Sequence, residues 1–115
     1  MGRRYLEDDL QMAVATYLDV RGVLWTHCAN ERKTSLRAGA RLKRKGVKSG
    51  VPDCLIFEPS GEYCGLAIEL KVGYNKPSPT QIQFMLDMEK RGWKTAICKD
   101  LDSVISLVDQ YLKQK

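Results

Sequence analysis

The feature that most constrains the fold is a pair of short apolar segments that carry two acidic residues, Asp53 and Glu69, 16 positions apart. The second segment alternates apolar and charged residues, which is typical of a β-strand with two different faces. Because residues two apart in a strand point to the same side, Glu69 and Lys71 are expected to project together, with Ile68 and Leu70 on the opposite face. Such a strand needs a core on one side and a polar site or solvent on the other.

The two segments are predicted to form a β-hairpin, with strands at 53–57 and 63–72. In an antiparallel pair the start of one strand lies beside the end of the other, so Asp53 and Glu69 are expected to converge. The Leu70 carbonyl is expected to lie within reach of the same point. Carboxylate and carbonyl oxygens are the ligands that hard cations such as Mg²⁺ prefer, so the hairpin predicts a metal site.

Lys71 adds a positive charge beside these carboxylates. Its amine would stabilise charge that develops on a phosphate, or orient an attacking water. An exposed ion pair between Glu69 and Lys71, with Asp53 as a turn residue, is the alternative interpretation. The glycine and proline that precede the aspartate, together with a basic segment, favour a phosphodiester-cutting site.

The remaining periodicity predicts an α/β fold in which a mixed β-sheet is flanked by helices, in the order α-β-β-β-α-β-α. Further helices and strands are predicted at helix 6–20, strand 23–29, helix 79–91, strand 93–98 and helix 101–112. Ser78 is the predicted N-cap of the second of these helices, with Pro79 at its first position and Gln81 completing a capping box. A chain of 115 residues has the size of one domain, 1–115.

A strongly basic segment precedes the hairpin. Eight of the 19 lysines and arginines, and no acid, lie in it, which leaves 11 basic residues against 14 acidic ones elsewhere. They are Arg32, Lys33, Arg37, Arg41, Lys43, Arg44, Lys45 and Lys48. The clustering is typical of a nucleic-acid-binding surface, with a solvated charged loop as the alternative. Residues 30–50 are predicted to form a long, mobile loop, with or without a short helix at 38–43.

The ends and the cysteines exclude several classes of protein. No apolar run near Met1 resembles a signal peptide, and no segment has the length of a membrane span, so we expect an intracellular protein that does not bind membranes. The four scattered cysteines lack a C-x-x-C spacing and are expected to be reduced and to pack as small hydrophobic residues.

Four motifs together resemble the VRR-NUC domain, a branch of the PD-(D/E)XK nuclease superfamily. They are Glu7-Asp8-Asp9-Leu10-Gln11, Gly50-Val51-Pro52-Asp53, Ile68-Glu69-Leu70-Lys71 and Ser78-Pro79-Thr80-Gln81. The resemblance covers Leu6 to Cys98 and implies a restriction-endonuclease-like core. It also implies an endonuclease that hydrolyses phosphodiester bonds in DNA with Mg²⁺ or Mn²⁺.

Within the hairpin, the resemblance implies that Asp53 and Glu69 bind the metal and that Lys71 is the catalytic lysine. Compact stand-alone members of the family are similar to Holliday junction resolvases, which act as homodimers on branched DNA. They are associated with bacteria and viruses, which implies a bacterial cytoplasm or a phage-infected host.

Outside the hairpin, the resemblance implies that Glu7 reaches the metal directly or through water, with Asp8 and Asp9 as alternatives for this role. Gln11, one turn further on, is expected to support Glu7. Gln81 would point into the site, unless its side chain serves only the capping box.

Two other functions stay open from the sequence. One is a nucleic-acid-binding protein without catalysis, against which the complete set of Asp53, Glu69 and Lys71 argues, because carboxylates repel phosphate. The other is a nuclease that acts on linear duplex DNA.

Overall fold

The computed structural model describes residues 3–29 and 35–113. Within these ranges it contains four helices and four strands. In chain order they are α1 Arg3–Arg21, β1 Trp25–His27, α2 Leu36–Arg44, β2 Cys54–Ile56, β3 Gly65–Leu70, α3 Pro79–Glu89, β4 Trp93–Cys98 and α4 Leu101–Leu112.

The strands form one mixed sheet in the order β1-β2-β3-β4. β1 pairs with β2 and β2 with β3 in antiparallel fashion, and Cys54 lies opposite Ile68 in the second pair. β3 and β4 are parallel, with Glu69 beside Ile97. The expected mixed sheet flanked by helices and the expected hairpin are therefore both confirmed.

Strand β3 is buried along its whole length and separates two different environments. On one face Leu66, Ile68 and Leu70 pack into the core with α1 and α4. The residues that these helices contribute to the buried core are Val14, Leu18, Val104, Val108 and Tyr111. Because side chains alternate along a strand, Glu69 points to the other face, where α3 lies. The sheet thus keeps the charged face of β3 away from the main core.

The basic segment contains a helix, so its interpretation as a loop is wrong for 36–44 and the version with a helix is correct. The Ser35 side chain accepts a hydrogen bond from the Ala38 N–H at 3.1 Å and starts α2. The element order becomes α-β-α-β-β-α-β-α, one helix more than expected. No residue of this described helix is buried, and only Leu36 and Leu42 among its nine residues are large and apolar, so the sequence contains only a weak signal for it.

The other predicted elements lie where expected, although β1, β2 and β3 are shorter than the apolar segments that predicted them. Strand assignment needs a pairing partner, and the apolar segments extend into the loops beyond the paired residues. In the parts of the chain that the structure describes, no helix has the length and apolar character needed to cross a bilayer.

Candidate active site

A pocket of about 340 Å³ opens where the end of β3 meets the start of α3. The pocket brings together the six residues that were predicted from the sequence to bind metal or take part in catalysis. These are Glu7, Asp53, Glu69, Leu70, Lys71 and Gln81. They come from α1, from the residue before β2, from β3 and the position after it, and from the first turn of α3. The fold therefore brings together residues that span 75 positions of the sequence.

Glu69 is the buried centre of this pocket, with 2% of its surface exposed. Its Oε2 atom accepts hydrogen bonds from Lys71 Nζ at 3.1 Å and from Gln81 Nε2 at 3.0 Å. Its Oε1 atom is also buried and has no hydrogen-bond partner among the residues that the structure describes. Because an unsatisfied buried oxygen is costly, this atom is suited to contact with a group from outside the chain, such as a water molecule or a cation.

Burial raises the pKa of the Glu69 carboxyl to about 7, and the negative charge of Asp53 contributes to the same effect. The hydrogen bond and positive charge of Lys71 oppose this shift, and so does the backbone of Asp53. The carboxyl therefore changes its charge near neutral pH in the protein alone. A cation placed next to Glu69 and Asp53 would favour the charged form, as opposite charges do.

Asp53 is held through both its side chain and its backbone. Its Oδ2 atom accepts the Leu70 N–H at 2.8 Å, which fixes the carboxylate beside the end of β3. Its carbonyl accepts the Cys28 N–H at 2.7 Å and lies 2.9 Å from His27 Nδ1. The predicted convergence of Asp53 and Glu69 follows from these contacts across three strands.

Lys71 continues the direction of β3 for one more residue. Its N–H donates to the Cys98 carbonyl at 3.0 Å, so the pairing with β4 extends past Leu70. The alternation of side chains is therefore kept, and Lys71 lies on the same face as Glu69 with 16% of its side chain exposed. The interpretation as an exposed Glu-Lys pair on a strand edge does not match this burial.

Gln81 fills both of the roles that the sequence left as alternatives. Its Oε1 atom accepts the Ser78 N–H at 2.8 Å, and the Ser78 hydroxyl accepts the Gln81 N–H at 3.2 Å, which completes the capping box. Its Nε2 atom donates to Glu69. The start of α3 is thereby tied directly to the buried carboxylate.

Gly50 shows why the segment before Asp53 begins with glycine. Its φ of +86° is rarely adopted by other residues, and a Cβ atom there would lie 2.7 Å from the Thr80 carbonyl oxygen. The loop before Asp53 therefore packs directly on the first turn of α3. Gly50, Ser49, Ser78 and Thr80 also line the pocket, and the sequence analysis did not propose them for it.

Of the three acids at the start of α1, Glu7 is the one that lines the pocket. Its Oε2 atom accepts a hydrogen bond from Asn75 Nδ2 at 2.6 Å. Asp8 and Asp9 are exposed on the helix surface. Gln11, expected to support Glu7, instead contacts the buried Cys54 thiol at 3.6 Å.

Two of these contacts were missed because they join residues far apart in sequence. Asn75 lies 68 positions from Glu7, and His27 lies 26 positions from the Asp53 carbonyl that it contacts. Neither shows a local motif. Only the closeness of Asn75 to Lys71 in the sequence could have suggested a place near the site.

The donor set fits a hard cation. In the described part of the chain, no three His, Cys, Asp or Glu side chains lie close enough to hold an ion by themselves. The pocket instead offers the carboxylates of Glu69, Asp53 and Glu7 and the backbone at Leu70. Mg²⁺ is usually held by one or two carboxylates, with water and substrate phosphate completing the shell. The unpartnered Oε1 atom of Glu69 is a suitable first ligand.

The basic residues of 35–48 are all exposed to solvent. They are Arg37, Arg41, Lys43, Arg44, Lys45 and Lys48. Ser49 and Gly50, which line the pocket, follow directly after them and connect this surface to the site. Arg32 and Lys33, which the sequence analysis placed in the same surface, lie outside the described residues.

Comparison with known proteins gives a consistent result. The family model of the VRR-NUC domain matches residues 3–100. A solved structure titled "VRR_NUC domain protein" is similar with a TM-score of 0.80 and 30% sequence identity, over 95% of this chain and 89% of that chain. No curated protein matches this chain.

A second solved structure, titled "VRR_NUC domain", has a TM-score of 0.63 and 23% identity over 91% of this chain and 96% of that chain. At this identity the similarity concerns the fold. The strands, helices and pocket described above are therefore set in an architecture that recurs in other solved proteins.

Proposed function

This chain belongs to the VRR-NUC family of nucleases, and from that premise we propose that it is a Mg²⁺- or Mn²⁺-dependent endonuclease that hydrolyses phosphodiester bonds in DNA. One observation carries the proposal. Glu69 is buried, one of its oxygens is held by Lys71 and Gln81, and the other has no partner among the described residues. A protein that only bound nucleic acid would gain nothing from a buried carboxylate that repels phosphate.

Glu69, Asp53 and the Leu70 carbonyl would hold the metal ion, with Glu7 bound directly or through water. When bound, such an ion polarises the phosphate and lowers the pKa of a water molecule so that it becomes a nucleophile near neutral pH. The chain's part is to hold these oxygens in place. The Leu70 N–H fixes Asp53, and Asn75 fixes Glu7.

Lys71 and Gln81 would act beside these ligands. The Lys71 ammonium stabilises negative charge that develops on the phosphate, and its hydrogen bond to Glu69 keeps it at that point. Gln81 donates to the same carboxylate oxygen, so Oε2 is oriented and Oε1 is left without a partner among the described residues. The same hydrogen bonds that hold the Glu69 carboxylate therefore also hold the side chains of Lys71 and Gln81.

The exposed basic residues of α2 and of the segment after it would bind the phosphate backbone of the DNA. Contacts of this kind carry no sequence information and weaken as salt rises. We therefore propose selection by DNA shape, with branched DNA such as the Holliday junction as the substrate. Symmetric cutting of two strands needs two sites, so the active form would be a homodimer.

The test compares cleavage of a four-way junction and of linear duplex with the same sequences, with and without Mg²⁺ or Mn²⁺. Glu69→Ala should lose cutting but keep DNA binding measured in EDTA. Glu62→Ala, at an exposed turn position away from the pocket, is the matched control and should cut like the wild type.

A different result would overturn each part of the proposal: catalysis, selectivity for branched DNA and dimerisation. Binding without any metal-dependent cutting by the wild type would make the protein a binder. Equal cutting of junction and duplex would remove the branched-DNA selectivity. A mass of one 13.1 kDa chain by light scattering, at concentrations where both strands are cut, would remove the homodimer.

A further inference from the structure

Tyr74 carries the most exposed aromatic ring among the side chains that the structure describes, with 90% of its surface accessible. The next is Phe57 at 41%, and that ring packs edge-to-face on Trp93 with 5.9 Å between the ring centroids. A tyrosine side chain that contacts almost nothing contributes little to the fold. An exposed aromatic ring of this kind is suited to contact with another molecule.

The ring stands on a turn that is fixed at the mouth of the pocket. The turn closes with a hydrogen bond from the Asn75 N–H to the Val72 carbonyl at 3.2 Å, and Gly73 adopts a φ of +60° within it. Asn75 also donates to Glu7 at 2.6 Å, and Lys71 before the turn contacts Glu69. The Cα atom of Tyr74 is thus about 4 Å from that of Asn75, which itself touches a pocket residue.

The surroundings of the ring suit a nucleotide. Lys76, two positions further on, is exposed and positively charged, whereas Glu7, Asp53 and Glu69 make the pocket floor negative. A phosphate attracted to the lysines next to the pocket would bring its base to the rim. A neutral ring there offers a stacking surface that every base can use.

We propose that Tyr74 forms a base-stacking subsite that takes one unstacked nucleotide base next to the phosphodiester to be cut. The inference rests on the proposed nuclease function and adds a source for its selectivity. Paired duplex keeps its bases stacked inside the helix, whereas a fork has unpaired arms and an open junction leaves its central base pairs without a stacking neighbour on one side. Tyr74 therefore favours DNA with unpaired bases over fully paired DNA.

The test measures DNA binding in EDTA, so that it does not depend on cutting. Wild type, Tyr74→Ala and Tyr74→Phe are titrated with a forked duplex that has unpaired arms and with a fully paired duplex of equal length. Tyr74→Ala should bind the fork roughly fivefold to a hundredfold more weakly, as loss of one base stack does, and should bind the paired duplex unchanged. Tyr74→Phe, which keeps the ring, should bind both like the wild type.

Lys76→Ala is the matched neighbour control. It removes a charge next to the same turn, so it should weaken binding of fork and duplex alike and make the slope of log affinity against log salt shallower by about 1. An abasic scan of the unpaired arm completes the test. At the position in the arm whose base stacks on Tyr74, removal of the base should lower the affinity of the wild type. The same removal should not lower the affinity of Tyr74→Ala any further.

The possible results either support or overturn the inference. Equal loss for fork and duplex, loss with Tyr74→Phe as large as with Tyr74→Ala, or additive effects at every abasic position would each overturn it. If the wild type binds and cuts DNA while Tyr74→Ala binds as it does, only the subsite fails. If the wild type neither binds nor cuts any of the DNAs, the proposed function fails as well.

Discussion

The pocket and the helix α2 are both rich in charge, yet they are built in opposite ways. In the pocket, Glu69, Asp53 and Glu7 each accept a hydrogen bond from a named neighbour. In α2, none of the residues is buried, and its basic side chains extend into solvent. Chemistry needs charges at fixed positions, whereas attraction of a polyanion needs only their sign and number.

This difference predicts separable effects. A change in the pocket should alter the rate at saturating DNA and leave affinity nearly unchanged. A change in α2 should alter affinity and its salt dependence and leave the rate at saturation nearly unchanged. If a change in either region alters both rate and affinity, the two regions do not have separate roles.

The largest effect is expected from Lys71→Met. The substitution removes the charge that we propose stabilises the phosphate, and it removes one of the two donors to Glu69 Oε2. It should lower the rate at saturating junction DNA by roughly 100-fold to 10,000-fold, the range seen when a positioned electrostatic group is lost. Single-turnover cleavage measures this rate, with binding followed separately in EDTA.

Lys90→Met is the control for this substitution, because Lys90 is an exposed residue at the end of α3. It should cut at the wild-type rate. If Lys71→Met cuts as fast as the control, Lys71 is a structural partner of Glu69 only.

The next largest effect is expected from replacement of Arg37, Arg41 and Arg44 by glutamine. All three are exposed on α2, so the fold should tolerate the change. Affinity for junction DNA at low salt should fall roughly a hundredfold, and the slope of log affinity against log salt should become shallower by about 3. Anisotropy titrations at several salt concentrations measure both quantities.

A second triple variant makes the same change of charge elsewhere, with Lys90, Lys99 and Lys113 replaced by glutamine. It should leave the slope nearly as it is in the wild type. If the two variants have the same slope, net charge rather than the position of α2 controls binding.

A smaller effect concerns stability and pH in the absence of divalent metal. The folded pKa of Glu69 is raised to about 7 from 4.5 by burial and by Asp53. The folded state therefore binds more protons between these values, and the stabilisation present below pH 4.5 is lost as pH rises through 7. The free energy of unfolding should fall by about 2 kcal/mol between pH 5 and pH 8 through this residue.

Glu69→Gln tests this, because it removes the titration and keeps the shape. Denaturant unfolding at pH 5 and pH 8 should show a smaller pH dependence for this variant than for the wild type. The same dependence in both proteins would mean that Glu69 stays ionised when the metal is absent.

The site was predictable from the sequence to the extent that local patterns control it. Alternation in β3 placed Glu69 and Lys71 on one face, and the capping pattern placed the start of α3 correctly. The dual role of Gln81 was not predictable. It depends on the distance between α3 and β3, which is set by packing across the sheet and by the close approach of Gly50 to Thr80.

Helix α2 shows the opposite case. Its nine residues include only two large apolar side chains, Leu36 and Leu42, so its prediction depends on the Ser35 cap and on residue propensity, which are weak signals. The exposed ring of Tyr74 was also beyond prediction, because exposure is a property of the whole fold. The charge of the basic segment could be identified from the sequence, but its helical conformation and the exposure of Tyr74 could not.

The smallest effect is expected from replacement of a helix cap next to the pocket, with a cap away from the pocket as the control. Ser78 caps α3 and Asp100 caps α4, each by accepting an N–H from the first turn of its helix. Replacement of either by alanine should cost about 1 kcal/mol in the free energy of unfolding. Only the first turn of α3 carries a residue, Gln81, that contacts Glu69. Ser78→Ala should therefore also slow cutting at saturating DNA by roughly 2-fold to 10-fold, a barrier change of about 1 kcal/mol. Asp100→Ala should cut at the wild-type rate, measured at a temperature where both variants are folded. Equal rates would show that the pocket tolerates motion at the start of α3.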